Sequence, residues 1–298
     1  MAGVGTEVGM PVSFDVGWNL GTFPPWLGST YDSDALAYFT AVETAGGSFD
    51  LTGIDPTYTE SYIKTAHSNF YAGLKTDGVW DKLTEFYLLA GKTFGGLTVK
   101  GKGTGSLTNN NFVTGDWLGA GSGAGLAGDG STKYLDTGLL QSAIPANDSH
   151  LGAYLTDATA GTNDAIVGAE SGGNNDRLYL GTGATATELY FTDEDRWESI
   201  NNDPGYGNGM LIGTKNSSDE YLYTNGAELT TEAKSGTDRT PYGGNLFAFA
   251  LNSGGIPTGH LASTITFAHV GTGLTDTDAS NLSTRVNTLM TALGCNTY

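Results

Sequence analysis

The feature that most limits how this chain can fold is a succession of short apolar segments between residues 84 and 272. Stretches at 86–90, 151–155, 165–168, 178–180, 189–191, 210–213, 221–223, 246–251 and 264–269 each have the length of a strand. Clusters of Gly, Asn, Asp and Ser separate them, many at roughly 8–15-residue spacing, which is the pattern of an all-β sandwich. Glycine contributes 46 of the 298 residues, roughly twice its usual share. No amphipathic helix follows the strands in regular alternation, so a parallel α/β sheet is not expected. Asn225-Gly226 comes one residue after Tyr221-Leu222-Tyr223. It marks a hairpin, because a type I′ turn needs positive φ at both central residues.

Helical patterning is confined to the two ends of this region. Ser33 is expected to cap a first helix with Leu36, Phe39 and Val42 on one face, closed by Gly46-Gly47. Thr57 and Glu60 form a capping-box pattern after Pro56. Ile63, Ala66, Phe70 and Leu74 then recur at helical spacing, and a helical turn over 79–83 directs Trp80 inward. A last helix over 275–293 begins at Thr275 with Asp278. It carries Leu282, Val286, Leu289 and Leu293 as one stripe and stops at Gly294. Residues 1–31 differ, with Trp18, Phe23, Pro24, Pro25 and Trp26 among glycines. The Pro-Pro step removes two backbone donors and favours an extended arm. Its anchoring aromatics Trp18, Phe23 and Trp26 pack either on the chain's own domain or in a partner, since aromatic rings are costly to leave in water. The expected organisation is an extended anchoring arm at 1–31, a helical region at 32–83 and a β-sandwich at 84–298 that includes the last helix.

Charge and cysteine remove several classes of function. The chain has 13 Lys and Arg against 32 Asp and Glu, a net charge of −19. Nucleic-acid binding needs clustered cations and is not expected. The single cysteine, Cys295, forms no internal disulfide and excludes a Cys-based zinc site. Apolar runs reach about six residues, against the roughly 20 that span a bilayer, so no membrane insertion is expected. The N-terminal MAGVGTEVGMPVSF has neither the basic nor the apolar region of a signal peptide, so synthesis in a cytosol and a soluble product are expected.

Three segments carry a resemblance. They are Asp34-Ala35-Leu36-Ala37-Tyr38, then Leu74-Lys75-Thr76-Asp77-Gly78-Val79-Trp80-Asp81-Lys82-Leu83 running into Phe86-Tyr87-Leu88-Leu89-Ala90, and Leu126-Ala127-Gly128-Asp129-Gly130-Ser131-Thr132-Lys133-Tyr134-Leu135-Asp136-Thr137-Gly138. Together with the closing helix, their order resembles the concanavalin-A-like (LamG-like) jelly-roll proteins found among tail and other structural genes of tailed bacteriophages. The resemblance covers about residues 32–294. It implies a mainly β fold, a concanavalin-like two-sheet β-sandwich (jelly roll) with N-terminal helices and a C-terminal helix. It also implies a virion protein made in the host cytoplasm. A homotrimer, other virion proteins held through residues 1–31, and host-surface polysaccharide are the expected partners. The wider superfamily is often glycan-binding. The segment 128–138 is expected to be a tight turn feeding a strand, with no chemistry of its own.

Candidate chemistry concentrates near residues 192–209. Trp197 and Tyr206 could stack on sugar rings, with Asn201 and Asn202 bonding to hydroxyls. Tyr190 lies beside them. Asp193, Asp195 and Asp203 offer the several oxygens that calcium prefers, although no EF-hand pattern is present. Asp193, Asp195 and Glu198 form the nearest approach to a paired-carboxylate hydrolase string, but their neighbours read as loop. The glycines at 119–130 precede a strand rather than a helix, which argues against a phosphate cradle. His67, His150, His260 and His269 are far apart in sequence and form no metal-ligand spacing. No Gly-x-Ser-x-Gly elbow is present for a serine nucleophile. The expected function is therefore a non-enzymatic, lectin-like virion protein of tail or fibre that contacts host glycan. Capsid decoration or a head fibre is the first alternative, and a polysaccharide depolymerase is the second.

Overall fold

The computed structural model describes residues 31–159, 164–172, 176–182, 187–191, 198–199, 207–217, 219–233 and 238–298. Except for Tyr31, the expected arm lies outside these residues. Two helices open the described chain, α1 (Ser33–Thr44) and α2 (Glu60–Thr76), and α3 (Asp276–Ala292) closes it. Between them run β1 (Leu83–Leu88), β2 (Thr108–Asn110), β3 (Trp117–Leu118), β4 (Gly125–Ala127), β5 (Tyr134–Leu140), β6 (Asp148–Asp157), β7 (Asp164–Glu170), β8 (Leu178–Thr182) and β9 (Thr187–Tyr190). They continue as β10 (Glu198–Ser199), β11 (Gly209–Asn216), β12 (Asp219–Thr224), β13 (Ala227–Ala233), β14 (Asn245–Ala248), β15 (Leu251–Ser253), β16 (Ile256–Thr258) and β17 (Thr264–Gly271).

These strands form two sheets. The first runs β13-β12-β11-β6-β17-β4-β3, with β1 sharing the flank of β17 with β4. The second runs β10-β9-β8-β7-β14-β5-β2, with the β15–β16 hairpin attached through β7. Pairing is antiparallel apart from β15 on β7. The fold is mainly β, a two-sheet sandwich with helices, as the sequence indicated.

One sheet has two apolar faces. Alternation along β6 sends Leu151, Ala153 and Leu155 toward the second sheet, where they meet Ile166, Leu178, Leu180 and Leu246. Tyr154, between them, points the other way, into a second core with Met210, Ile212, Tyr223 and Phe267. The helices cover that face with Phe70, Leu74, Leu282 and Val286. The result is three layers, helix on sheet on sheet. Burying each large aliphatic side chain contributes roughly 1.5–3 kcal/mol.

Several local motifs form as expected. Asn225 and Gly226 have φ of 52° and 81°, and they join β12 to β13. At α3, Thr275 and Asp278 form the reciprocal cap. Asp129 accepts from the backbone N–H of Ser131 and Thr132 at 2.9 and 2.8 Å, which makes the tight turn into β5.

Five readings change. Asp32, not Ser33, caps α1, accepting from the N–H of Asp34 and Ala35. Its carboxylate also bonds Lys75 of α2 at 2.7 Å, a contact invisible from nearby sequence. Leu36 is 48% exposed, and Ala35 takes its place beside Phe39 and Val42. Thr59 rather than Thr57 caps α2, because Thr57 donates its hydroxyl to Asp55. The apolar run at 246–251 is broken by Phe249, whose φ of 68° turns the chain out of β14. Glu198–Ser199, read as loop, pairs with Leu189 and Glu188 as a short strand.

Candidate functional site

At the β3 edge of the first sheet, the connection from α1 to α2 and the turn after β1 converge on β3. Ser48 donates its N–H to Thr93 Oγ1 at 2.9 Å, and Thr93 returns its own N–H to the Ser48 carbonyl at 2.8 Å. Gly91 donates to the Gly119 carbonyl at 2.6 Å. A Cβ on Gly119 would lie 2.9 Å from the Lys92 carbonyl and 3.0 Å from Leu51 Cδ2, so only glycine lets these segments meet.

Lys92 supports the site from behind. Its side chain is fully buried and donates to the Tyr38 hydroxyl at 2.8 Å and the Leu88 carbonyl at 2.7 Å. Burial pushes its ammonium down to about 7. Its carbonyl accepts from Trp117 Nε1 at 3.0 Å, fixing the indole.

The product is an open groove of about 330 Å³, at the lower end of the roughly 300–1,000 Å³ usual for small-ligand sites. Leu51, Ile54, Phe94, Trp117 and Leu118 supply its apolar surface, and Asp50, Thr93 and Thr114 its polar groups. The Phe94 and Trp117 rings meet edge to face, with centroids 6.3 Å apart. Ile54 and Leu118 are 44% and 39% exposed, so apolar surface is presented to solvent. Asp50 accepts from the Thr52 hydroxyl at 2.7 Å and the Thr52 N–H at 3.0 Å. Those bonds hold its carboxyl below the usual range, so it is an anion at neutral pH. An indole with a few polar groups around it suits a flat ring that has one apolar face and hydroxyl edges. Among the described residues lining the groove Asp50 is the single carboxylate.

Other polar groups serve the fold. Lys100 pairs with Glu85 at 2.7 Å, both side chains buried, and Tyr87 donates to the same carboxylate at 2.8 Å. His67 Nδ1 donates to the Ile63 carbonyl, and burial pushes the ring down to about 4. His150 and His269, remote in sequence, lie with ring centroids 4.9 Å apart beneath the helical layer. On the outer face of the second sheet, Tyr134 packs on Phe247 at 4.7 Å, with His260 6.2 Å away. Among the described residues no three His, Cys, Asp or Glu side chains are grouped to hold a metal. No described helix is long and apolar enough to cross a membrane. Burial pushes the Cys295 thiol up to about 12.

The sequence-derived candidates are not among the described residues. Trp197, Tyr206, Asn201 and Asn202, the calcium candidates Asp193, Asp195 and Asp203, and the anchoring Trp18, Phe23 and Trp26 all lie outside them. The groove residues Asp50, Phe94 and Trp117 belong to no motif in the sequence. One signal was available: Trp117 sits in a Gly-Asp-Trp-Leu-Gly stretch, with few apolar neighbours in sequence to bury an indole.

No protein-family model matches the chain, and no curated protein matches it. Solved structures of similar arrangement include domain 4 of AbnA, a GH43 extracellular arabinanase from Geobacillus stearothermophilus, in complex with arabinotriose. It is 14% identical with a TM-score of 0.44, over 68% of this chain and 98% of that one. The CBM40 of the Ruminococcus gnavus IT-sialidase, bound to α2,3-sialyllactose, is 12% identical with a TM-score of 0.38, over 49% and 84%. A Trypanosoma rangeli sialidase mutant displaying trans-sialidase activity is 13% identical with a TM-score of 0.45, over 74% of this chain and 39% of that chain.

Proposed function

We propose that this chain is a virion structural protein of a tailed phage whose sandwich binds host-surface glycan without cleaving it, through the groove at Trp117. The observation that carries the glycan reading is the groove itself: an indole held by the Lys92 carbonyl, beside Phe94, with Asp50, Thr93 and Thr114 around it. Aromatic rings supply large contact area at small entropic cost, and the polar groups set orientation. The virion reading rests on the three sequence segments and the closing helix. Binding rather than hydrolysis is favoured by Asp50 being the single carboxylate among the described residues lining the groove, where hydrolysis uses a pair.

The test is binding of the full chain to immobilised polysaccharides from candidate hosts, measured for the wild type, Trp117→Ala and Trp197→Ala. Loss of binding in Trp117→Ala, with thermal unfolding retained, supports the groove. Loss confined to Trp197→Ala moves the site to the 192–209 segment. The virion part is tested separately by locating the chain in a cryo-EM map of purified particles. Its absence from every particle protein would overturn that part alone.

A further inference from the structure

The described lining of the groove carries one carboxylate and no cation. The inference rests on the reading of the groove as a sugar site. Asp50 faces the groove, and no Lys, Arg or His lines it among the described residues. Among the described residues, cations on segments flanking the groove are engaged by other partners. The Lys92 ammonium is turned into the core toward Tyr38 and Leu88. Lys133 is paired with Asp116 at 2.6 Å. Lys64 bridges Glu43 and Glu60. The whole chain carries 32 acidic against 13 basic residues, so its long-range field also opposes an anion.

A carboxylated sugar in such a site would lose water from its carboxylate and gain no cationic partner. It would also approach the anionic Asp50. An uncharged pyranose meets neither cost. Its hydroxyls can donate to the Asp50 carboxylate, and charge-assisted bonds of that kind are stronger than neutral ones. We infer that the groove is a subsite for uncharged pyranosides and discriminates against uronates and other carboxylated sugars.

The experiment uses matched pairs: neutral oligosaccharides and the same molecules with the C6 primary alcohol oxidised to carboxylate. Binding to the full chain is measured by calorimetry at low and at high salt. The neutral member of each binding pair is expected to bind about tenfold more tightly at low salt. The ratio should shrink at high salt, because exposed charges are screened beyond roughly a Debye length. Asp50→Asn should narrow the ratio at low salt, since it removes the nearest negative charge while keeping an acceptor. Equal or tighter binding of the oxidised member overturns the inference, as does an unchanged ratio in Asp50→Asn. Binding of neither member, or binding indifferent to Trp117→Ala, overturns the groove itself and the inference with it.

Discussion

Gly152 and Gly271 show how a single missing side chain can organise a layer. On neighbouring strands β6 and β17, His269 stands opposite Gly152 and His150 opposite Gly271. A Cβ on Gly152 would overlap the His269 ring, and one on Gly271 would overlap the Lys82 carbonyl and crowd His150. The two imidazoles therefore lie over a floor of glycine backbone, fully buried. Gly152→Ala is expected to cost about 1–3 kcal/mol as an overpacking change, read as a lower urea midpoint. A midpoint unchanged within error would mean that the rings have room to move aside. Sequence alone shows two isolated histidines and two ordinary glycines, because the register of β6 against β17 is what brings them together. Trp117 was hidden for the same reason. Its anchor is the carbonyl of Lys92, whose neighbours in sequence carry no mark of the contact.

At the scale of elements, legibility followed the range of the deciding interaction. The β12–β13 hairpin was readable because Asn225 and Gly226 decide it between them. Gly226→Ala should lose roughly 1–2 kcal/mol, since an L-residue resists the left-handed conformation, and chemical denaturation should show it. Asn225 adds a contact that the turn motif does not predict, its Oδ1 accepting from Met210 N–H at 2.8 Å. Helix α3 was readable from its cap and stripe. Thr275→Ala is expected to cost about 1 kcal/mol, and retention of full stability would show that Asp278 carries the cap alone. The first helix was half legible. Its period was right, but the buried stripe is set by which side Phe49 and Tyr71 occupy, and these lie outside the helix. Both faces of β17 are buried, so its pattern runs T-I-T-F-A-H-V-G rather than alternating. That helices cover the second face is a fact of topology, and the strand alone could not reveal it.

For the molecule as a whole, the buried imidazoles set a pH limit. Burial, offset in part by the carbonyls that His67 and His150 bond, pushes both rings down to about 4 from an ordinary 6.5. His269, which has no hydrogen-bond partner on either nitrogen, is pushed well lower by burial and then by His150. Charged groups nearby do not rescue them. Lys92 opposes protonation of His67. Beside His150, Lys82 opposes it and Asp278 favours it, and those two are themselves paired at 2.9 Å. Below about 6.5 the unfolded chain takes up protons that the native state refuses, so stability falls as the pH is lowered toward 4. Each imidazole contributes up to about 1.4 kcal/mol per pH unit across that window. Above it their contribution is complete and the pH dependence flattens. The lowered carboxyls of Asp32 and Asp77 add losses only at lower pH, below the usual carboxylate range near 3.8. His269→Phe separates the effects, because it removes one refused proton without breaking a hydrogen bond. Urea unfolding at a series of pH values should give this variant a shallower slope between 6.5 and 4, by about one proton. An identical slope in variant and wild type would mean that His269 is already protonated, or solvated, in the folded chain.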